Sequence, residues 1–382
     1  MIESDVDAPT LRVCTRCVMD TTARNITFDE LGRCNYCTEF ISRAGVELSR
    51  SPAARAIEYD ALIARVKAAG TGKPYDCIIG VSGGVDSSWA LVQAVRSGLR
   101  PLAVHMDNGW DSELAQSNIE NLVRTLKVDL FTYVIDWDEY RSLMQAFFDA
   151  GVIDVELLYD NAMLAVNFQQ ARERKTRFIL AGTNLATEGM RIPPAWNWLK
   201  YDKRNITSLL RASGSGSIKT FPAIGTVGYV WNIAVRRIAW VSFLDYTDYQ
   251  KSEAVSELVR DFNYKPYPHK HYESVFTRLY MGHILPTKFN VDMRKVDFSN
   301  LIVSGQMTRA DATAALKADP YPSPAELESD IVFFLKKLGW TREQWATYLS
   351  QPERAHSEFG SEAGLYALAR SVSRRGRSEP QS

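Results

Sequence analysis

The sequence predicts a doubly wound parallel α/β sheet, preceded by a metal-stapled N-terminal module and followed by a helical C-terminal region. Three observations carry this. Short apolar runs alternate with helical periodicity between residues 76 and 182. A glycine-rich loop, Ser82-Gly83-Gly84-Val85-Asp86-Ser87, joins the first of these runs to the helix behind it. Two Cys-x-x-Cys pairs, Cys14/Cys17 and Cys34/Cys37, stand ahead of them all.

In chain order, residues 53–69 read as a helix with Ile57, Leu62, Ile63 and Val66 as its apolar stripe. Gly70, Gly72 and Pro74 end it. Residues 76–81 form an apolar strand, and a helix follows the glycine loop to about Ser97. Strands at 101–106, 129–136 and 177–182 alternate with helices at 112–126, 137–149 and 154–173. That order implies parallel strands with helices on both faces. Residues 211–217 (RASGSGS) read as a flexible loop, and residues 225–240 as a helix carrying Trp231 and Trp240. Beyond 246 strand signals fade. Ser323-Pro324-Ala325-Glu326 and Thr341-Arg342-Glu343-Gln344 are capping boxes, so the last third is helical.

The expected divisions are a disordered lead at 1–10, a cysteine-pair module at 11–46 and a linking helix at 47–75. A doubly wound domain around the glycine loop at 76–245, a helical region at 246–369 and a disordered basic tail at 370–382 follow.

Composition sets bounds. The 382 residues are 46% hydrophobic and 24% charged, as in globular proteins. Lys+Arg and Asp+Glu are both 45, and a zero net charge argues against broad nucleic-acid binding. The opening MIESDVDAPT does not read as a secretory leader, and no apolar run approaches the ~20 residues of a membrane helix. A cytoplasmic protein with no nucleic-acid or membrane partner is expected.

The glycine loop has the composition of an anion cradle. Glycines let backbone N–H groups approach phosphate, and the helix N-terminus behind them adds positive potential. Ser82 and Ser87 can donate to phosphate oxygens, and Asp86 can hold Mg²⁺ against them. The Gly-Lys-Ser/Thr ending of a Walker loop is missing. Asp107 at the end of the second strand, and Gly182-Thr183-Asn184 at the end of the fourth, occupy the carboxyl edge where ligands of parallel sheets sit. Glu188 and Arg191 follow closely, with a surface ion pair as the plain alternative. Lys270, between His269 and His271 and ahead of Arg278, is a candidate pyrophosphate-binding cation, with a solvated polar loop as its alternative.

The two cysteine pairs, 16 residues apart, suit tetrahedral Zn²⁺, with an iron–sulfur cluster as the alternative. A closed four-thiolate site has no open position, so its role is structural. Cys77 lies in an apolar strand and reads as a buried, inert thiol.

Residues 82–87 resemble the S-G-G-x-D-S signature of the PP-loop ATP pyrophosphatases. The resemblance narrows with Cys14-Thr15-Arg16-Cys17-Val18-Met19-Asp20, Cys34-Asn35-Tyr36-Cys37, Asp107-Asn108-Gly109-Trp110, the run from Lys265 to Ser274, and the run from Leu301 to Arg309. Over roughly residues 12–350 the chain resembles the N-acetyl sugar amidotransferases of O-antigen and flagellin-glycan synthesis.

That resemblance implies a PP-loop fold and ATP, Mg²⁺ and Zn²⁺ as cofactors. It implies ATP contacts from Ser82, Gly83, Gly84, Val85, Asp86, Ser87, Ser88, Asp107, Gly182 and Thr183. Asn184, Arg191, His271 and Arg278 would face the sugar. Asp86, Lys270 and Glu188 would serve the chemistry: adenylation of an acetamido oxygen on a UDP-type sugar, then displacement of AMP by ammonia. No cysteine is placed for a glutaminase, so a separate glutaminase would supply ammonia, and the resemblance implies glutaminase and cyclase-like partners similar to the two subunits of imidazole glycerol phosphate synthase. A tRNA sulfurtransferase and a non-catalytic ATP-binding regulator are the competing readings.

Overall fold

The computed structural model describes residues 11–267 and 272–375. Lys270 and His271 lie outside the described residues, as do residues 1–10 and the part of the expected 370–382 tail from 376 onward.

Two helices precede the sheet. Helix α1 (Asn35–Leu48) starts inside the cysteine module, where little periodicity is visible, because Cys34 caps it by accepting from the Cys37 N–H. Helix α2 (Pro52–Gly70) begins after the cap Ser51, with proline at its start. Strand β1 (Cys77–Gly80) leads through the glycine loop into α3 (Val85–Arg96). Then come β2 (Pro101–Asp107), α4 (Glu113–Leu126), β3 (Leu130–Val134), α5 (Trp137–Ala150), α6 (Leu157–Glu173) and β4 (Phe178–Ala181). Short α7 (Leu185–Glu188), α8 (Lys203–Ala212) and α9 (Thr226–Val230) follow, and α9 continues into a π-helical turn, Trp231–Val235.

Strand β5 (Ala239–Ser242) completes the sheet. It contains Trp240, which the sequence places in a helix. The apolar run reads equally as either element, and pairing with β4 from Phe178 opposite Ala239 to Ala181 opposite Ser242 decides it. All five strands are parallel, in the order β3-β2-β1-β4-β5. The order reverses direction between β1 and β4.

Alternation along β1 splits the core. Ile78 faces the side covered by α5 and α6, where Leu143, Phe147, Leu158 and Val166 are buried. Cys77 and Ile79 face the other side, against Leu62 of α2 and Leu91 of α3.

The last third is helical: α10 (Lys251–Phe262), α11 (Val275–Leu279) running through a π turn into α12 (Leu285–Phe289), α13 (Arg294–Val303), α14 (Arg309–Ala315), α15 (Pro324–Leu338), α16 (Arg342–Ser350) and α17 (Ala363–Arg375). Ser323 caps α15 by accepting from the Glu326 N–H, and Thr341 with Gln344 forms a complete capping box on α16. Composition assigns a disordered tail from residue 370, yet α17 continues to Arg375. The alanine and leucine content of 363–369 favours helix, and its propagation adds one bond per residue.

Candidate active site

A cavity of about 480 Å³ opens where the strand order reverses, between the carboxyl ends of β1 and β4. Ligands of doubly wound sheets bind at this switch point. Its floor is Ser82, Gly84, Val85, Asp86 and Ser87, and its walls include Gly182, Thr183, Glu188, Lys251 and Glu273.

The loop is held open from several sides. Gly83 has φ +80°, and a Cβ there would lie 2.9 Å from the Ala115 carbonyl oxygen, so only glycine fits. Tyr264 Oη and Tyr267 Oη both donate to the Gly83 carbonyl, at 3.0 and 3.2 Å. The Gly84 N–H donates to Ser82 Oγ at 3.3 Å, and the Ser82 N–H to Ser87 Oγ at 3.2 Å. Gly182 allows close approach, since a Cβ there would lie 2.6 Å from the Asp86 carbonyl carbon. β4 therefore seats directly on the first turn of α3.

A second cavity, of about 380 Å³, adjoins the first and shares Ser82, Tyr159, Asp160, Glu188 and Glu273 with it. Its wall is rich in carboxylates: Asp111, Asp154, Glu156 and Asp297 besides the shared acids. Lys200 neutralises part of this set, with Nζ 2.7 Å from Asp154 and 2.9 Å from Asp160. Glu156 accepts from Thr277 Oγ1 at 2.9 Å. Burial, then the Asp160 charge, pushes the Glu156 carboxyl up to about 8.

The segment from 273 onward reaches the loop through a short antiparallel contact. Asp111 and Ser274 form a bridge, the Ser112 N–H donates to the Glu273 carbonyl at 2.9 Å, and the Val275 N–H donates to the Trp110 carbonyl at 2.8 Å. Asp111 also touches His105, whose other nitrogen faces the Val81 carbonyl just ahead of the loop.

The expected site residues divide. Ser82, Gly84, Val85, Asp86, Ser87, Gly182, Thr183 and Glu188 line the first cavity. Asp86 Oδ1 accepts from Tyr249 Oη. Gly83 shapes the loop from beneath Tyr264 and Tyr267 rather than forming wall. Ser88 is turned into the core, 1% exposed. Asp107 caps the turn after β2 by accepting from the Gly109 N–H at 2.7 Å, so β2 instead offers Val104 and Met106 to the wall.

Three substrate candidates are placed elsewhere. Asn184 is the buried N-cap of α7, accepting from the Thr187 N–H at 2.8 Å. Arg191 pairs with Glu39 at 3.3 Å on the surface. Arg278 forms a two-pronged pair with Asp330, both contacts 2.6 Å, clamping α11 to α15. Each carries a polar side chain near a glycine or a helix start, and capping and clamping use the same residue types as ligand binding. Lys251, Asp160 and Glu156 are wall residues that no sequence signal singled out, and Glu273 stands out only as part of the run from Lys265 to Ser274. They come from separate elements, and only folding assembles them.

The four paired cysteines are fully buried, with sulfur atoms within 4.8 Å of one another. Cys14 and Cys37 Sγ are 3.8 Å apart, and Cys17 and Cys34 Sγ 3.6 Å. Tetrahedral zinc with Zn–S of about 2.3 Å requires S···S of about 3.8 Å, so the donor set fits zinc. Backbone N–H groups of Arg16, Cys17 and Cys34 point at Cys14 Sγ, at 3.4, 3.4 and 3.1 Å, as a thiolate would favour. Arg309 donates to the Cys17 and Cys14 carbonyls, Ser299 Oγ accepts from the Val18 N–H, and Lys295 pairs with Asp20 at 2.6 Å. The module is therefore docked on α13 and α14.

Fold and site together define a doubly wound α/β protein with a glycine-rich loop lining a cavity at its switch point, a four-cysteine module and a helical C-terminal region. Residues 273–373 match the family model described as "LPS biosynthesis protein WbpG-like, C-terminal domain". The match starts at Glu273, on the wall of both cavities. No curated protein matches the chain. Among solved structures the chain is similar to the NMN synthetase from Francisella tularensis, at 15% identity over 59% of this chain and 100% of that one, with a TM-score of 0.30, too slight to bear on function. Among the described residues no helix is long and apolar enough to cross a membrane.

Proposed function

We propose that this chain is an ATP-dependent, AMP-forming amidotransferase of the PP-loop class, acting on an N-acetylated, UDP-type sugar in lipopolysaccharide synthesis. The observation that carries the reading is the pair of adjoining cavities sharing Ser82, Glu188 and Glu273. One has the phosphate-loop floor that ATP needs, and the other has room for an acceptor beside it. The WbpG-like match over 273–373 supports the sugar pathway.

The chemistry follows from an amide oxygen being a poor leaving group. The acetamido oxygen attacks the α-phosphorus of ATP, the α–β bridging bond breaks, and pyrophosphate leaves. The product is an O-adenylyl imidate. Ammonia adds to its carbon, AMP departs with the oxygen, and loss of a proton leaves the acetamidino sugar. The loop N–H groups and the α3 N-terminus orient the phosphates and stabilise developing charge. Lys251, and Lys270 by sequence, would offset the charge on pyrophosphate. Asp86, on the cavity floor, is the residue that would hold Mg²⁺, one carboxylate beside phosphate oxygens being a normal donor set. Bound there, Mg²⁺ would neutralise phosphate charge. Glu188 or Glu156 would accept the proton from the incoming nitrogen. Glu156 lies on the acceptor side with a carboxyl poised near neutral pH, which suits that task.

Cys77 is fully buried in β1 and its thiol is pushed up by burial. The other four cysteines are gathered in one cluster, which leaves the cavity, among the described residues, without the free thiol that a sulfurtransferase would use. The same shortage of free cysteines motivates a separate glutaminase as the ammonia source, and the family resemblance adds its cyclase-like companion. The test is purified chain with ATP, Mg²⁺, ammonium and UDP-N-acetyl sugars, followed by mass spectrometry. AMP with a sugar about one mass unit lighter, oxygen having been replaced by NH, is the expected result. Turnover with glutamine in place of ammonium would contradict the separate ammonia source.

A further inference from the structure

A folded helix runs alongside α6 and reaches the amino ends of β4 and β5, the opposite edge of the sheet from the phosphate loop, and it turns its apolar face to solvent. Val227 is 67% exposed, Trp231 53% and Val235 56%, and Val230 and Ile233 are exposed beside them. All belong to α9 and the π turn that continues it. Their inner side is fixed. Thr226 and Asn232 are buried, Asn232 Nδ2 donates to the Gly228 carbonyl at 2.9 Å, and Tyr229 stacks on Tyr201 with ring centres 4.2 Å apart. The outer face is thus a formed surface, and a contiguous exposed patch of large apolar side chains marks an interaction site.

The same edge is basic. Arg236 and Arg237 follow the patch directly, and both are exposed. Arg172 donates to Asn232 Oδ1 at 3.1 Å, within the field of Arg236. The Arg177 carbonyl accepts from the Ala239 N–H at 2.8 Å, which places Arg177 beside the turn. Glu173, in the same stretch, is occupied by Gln169 and Gln170, each at 2.8 Å.

We propose that this edge docks the protein on an anionic membrane surface, with Trp231 and its aliphatic neighbours entering the interface and Arg172, Arg177, Arg236 and Arg237 meeting lipid phosphates. An apolar face carrying tryptophan with arginines at its border is the pattern of interfacial binding. A second copy of this chain fits less well, because a two-fold contact sets each patch against itself and brings the arginines together. That no helix among the described residues is long and apolar enough to cross a membrane bears on insertion and leaves peripheral docking open. Docked this way, the protein keeps its cavities, at the carboxyl ends of the strands, away from the lipid.

The test is co-sedimentation of the full chain with phosphatidylcholine vesicles, with and without phosphatidylglycerol. The chain should pellet only with the anionic vesicles. Replacing Arg236 and Arg237 together by glutamate should weaken binding at least about tenfold, and Trp231→Ser should weaken it as well. Circular dichroism and AMP formation in solution should match wild type for both variants. No vesicle binding, or binding indifferent to phosphatidylglycerol or to the two arginines, overturns the proposal. A dimer that Trp231→Ser dissolves, without vesicle binding, would assign the patch to self-association instead. Vesicle binding is read without ATP, so its failure and a failure of the proposed reaction are separate results.

Discussion

His105 Nε2 lies 3.0 Å from Asp111 Oδ2, while His105 Nδ1 lies 2.9 Å from the Val81 carbonyl oxygen. A carbonyl can only accept, and so can a carboxylate, so both ring nitrogens are asked to donate. That arrangement favours imidazolium. Burial works against the charge, but the Asp111 hydrogen bond and charge outweigh it and raise the His105 pKa. The pair ties the strand end before the phosphate loop to a wall residue of the acceptor cavity.

Asp111→Asn should therefore lower the His105 pKa, measured by NMR titration of its ring proton. A raised histidine pKa adds stability that is complete below the ordinary value of 6.5 and is lost as pH rises through the folded value. The variant should lose stability mainly on the acid side. An unchanged His105 titration would show that Asp111 does not set its charge.

Gly182→Ala should destabilise the protein by roughly 1–3 kcal/mol and abolish ATP binding. The added methyl would stand 2.6 Å from the Asp86 carbonyl carbon and 2.7 Å from the Ser87 nitrogen. Backbone cannot yield as a flexible side chain can, so β4 and α3 must separate at the cradle. Urea unfolding and nucleotide titration check both halves. A stable variant that binds ATP normally would contradict the close packing.

One zinc per chain is expected by elemental analysis, and chelation should lower Tm. Cys34→Ser should do the same, because it removes one of the four thiolates while serine can still cap α1. Loss of the module should loosen α13, which receives Val18 through Ser299 and Asp20 through Lys295 and whose Val296, Asp297 and Asn300 line the acceptor cavity. Hydrogen exchange along 294–303 should rise on metal removal. Iron and sulfide in place of zinc would revise the cluster's identity.

Glu156→Gln should change how stability depends on pH. The folded carboxyl is raised from the ordinary 4.5 to about 8, so the folded state holds the proton more tightly than the unfolded chain does. Wild-type stability then falls as pH climbs from the carboxylate range to about 8. Glutamine cannot ionise, so the variant's Tm should decline less over that window. Parallel Tm curves would place Glu156 in a more ordinary environment.

The sheet was legible because β1, β2 and β4 are buried and read as continuous apolar runs, while Gly83 and Gly84 punctuate the loop. β5 was not, since four residues after a helical run carry too little pattern, and pairing with β4 decided them. The cradle could be read because its residues are consecutive. The acceptor cavity could not, because Glu156, Lys200, Glu273 and Asp297 meet only through tertiary packing. Asn184 and Arg278 show the converse, polar residues in suggestive places that serve a cap and a clamp.

The most direct test of the central claim is AMP release measured against acceptor and ammonium together. Wild-type protein with ATP and Mg²⁺ should release AMP and pyrophosphate only when an N-acetylated nucleotide sugar is present. Ammonium should convert that sugar to the lighter amidine, and Asp86→Ala should fold but lose the reaction. ATP binding with no AMP under any acceptor, or release of ADP and phosphate, would contradict it.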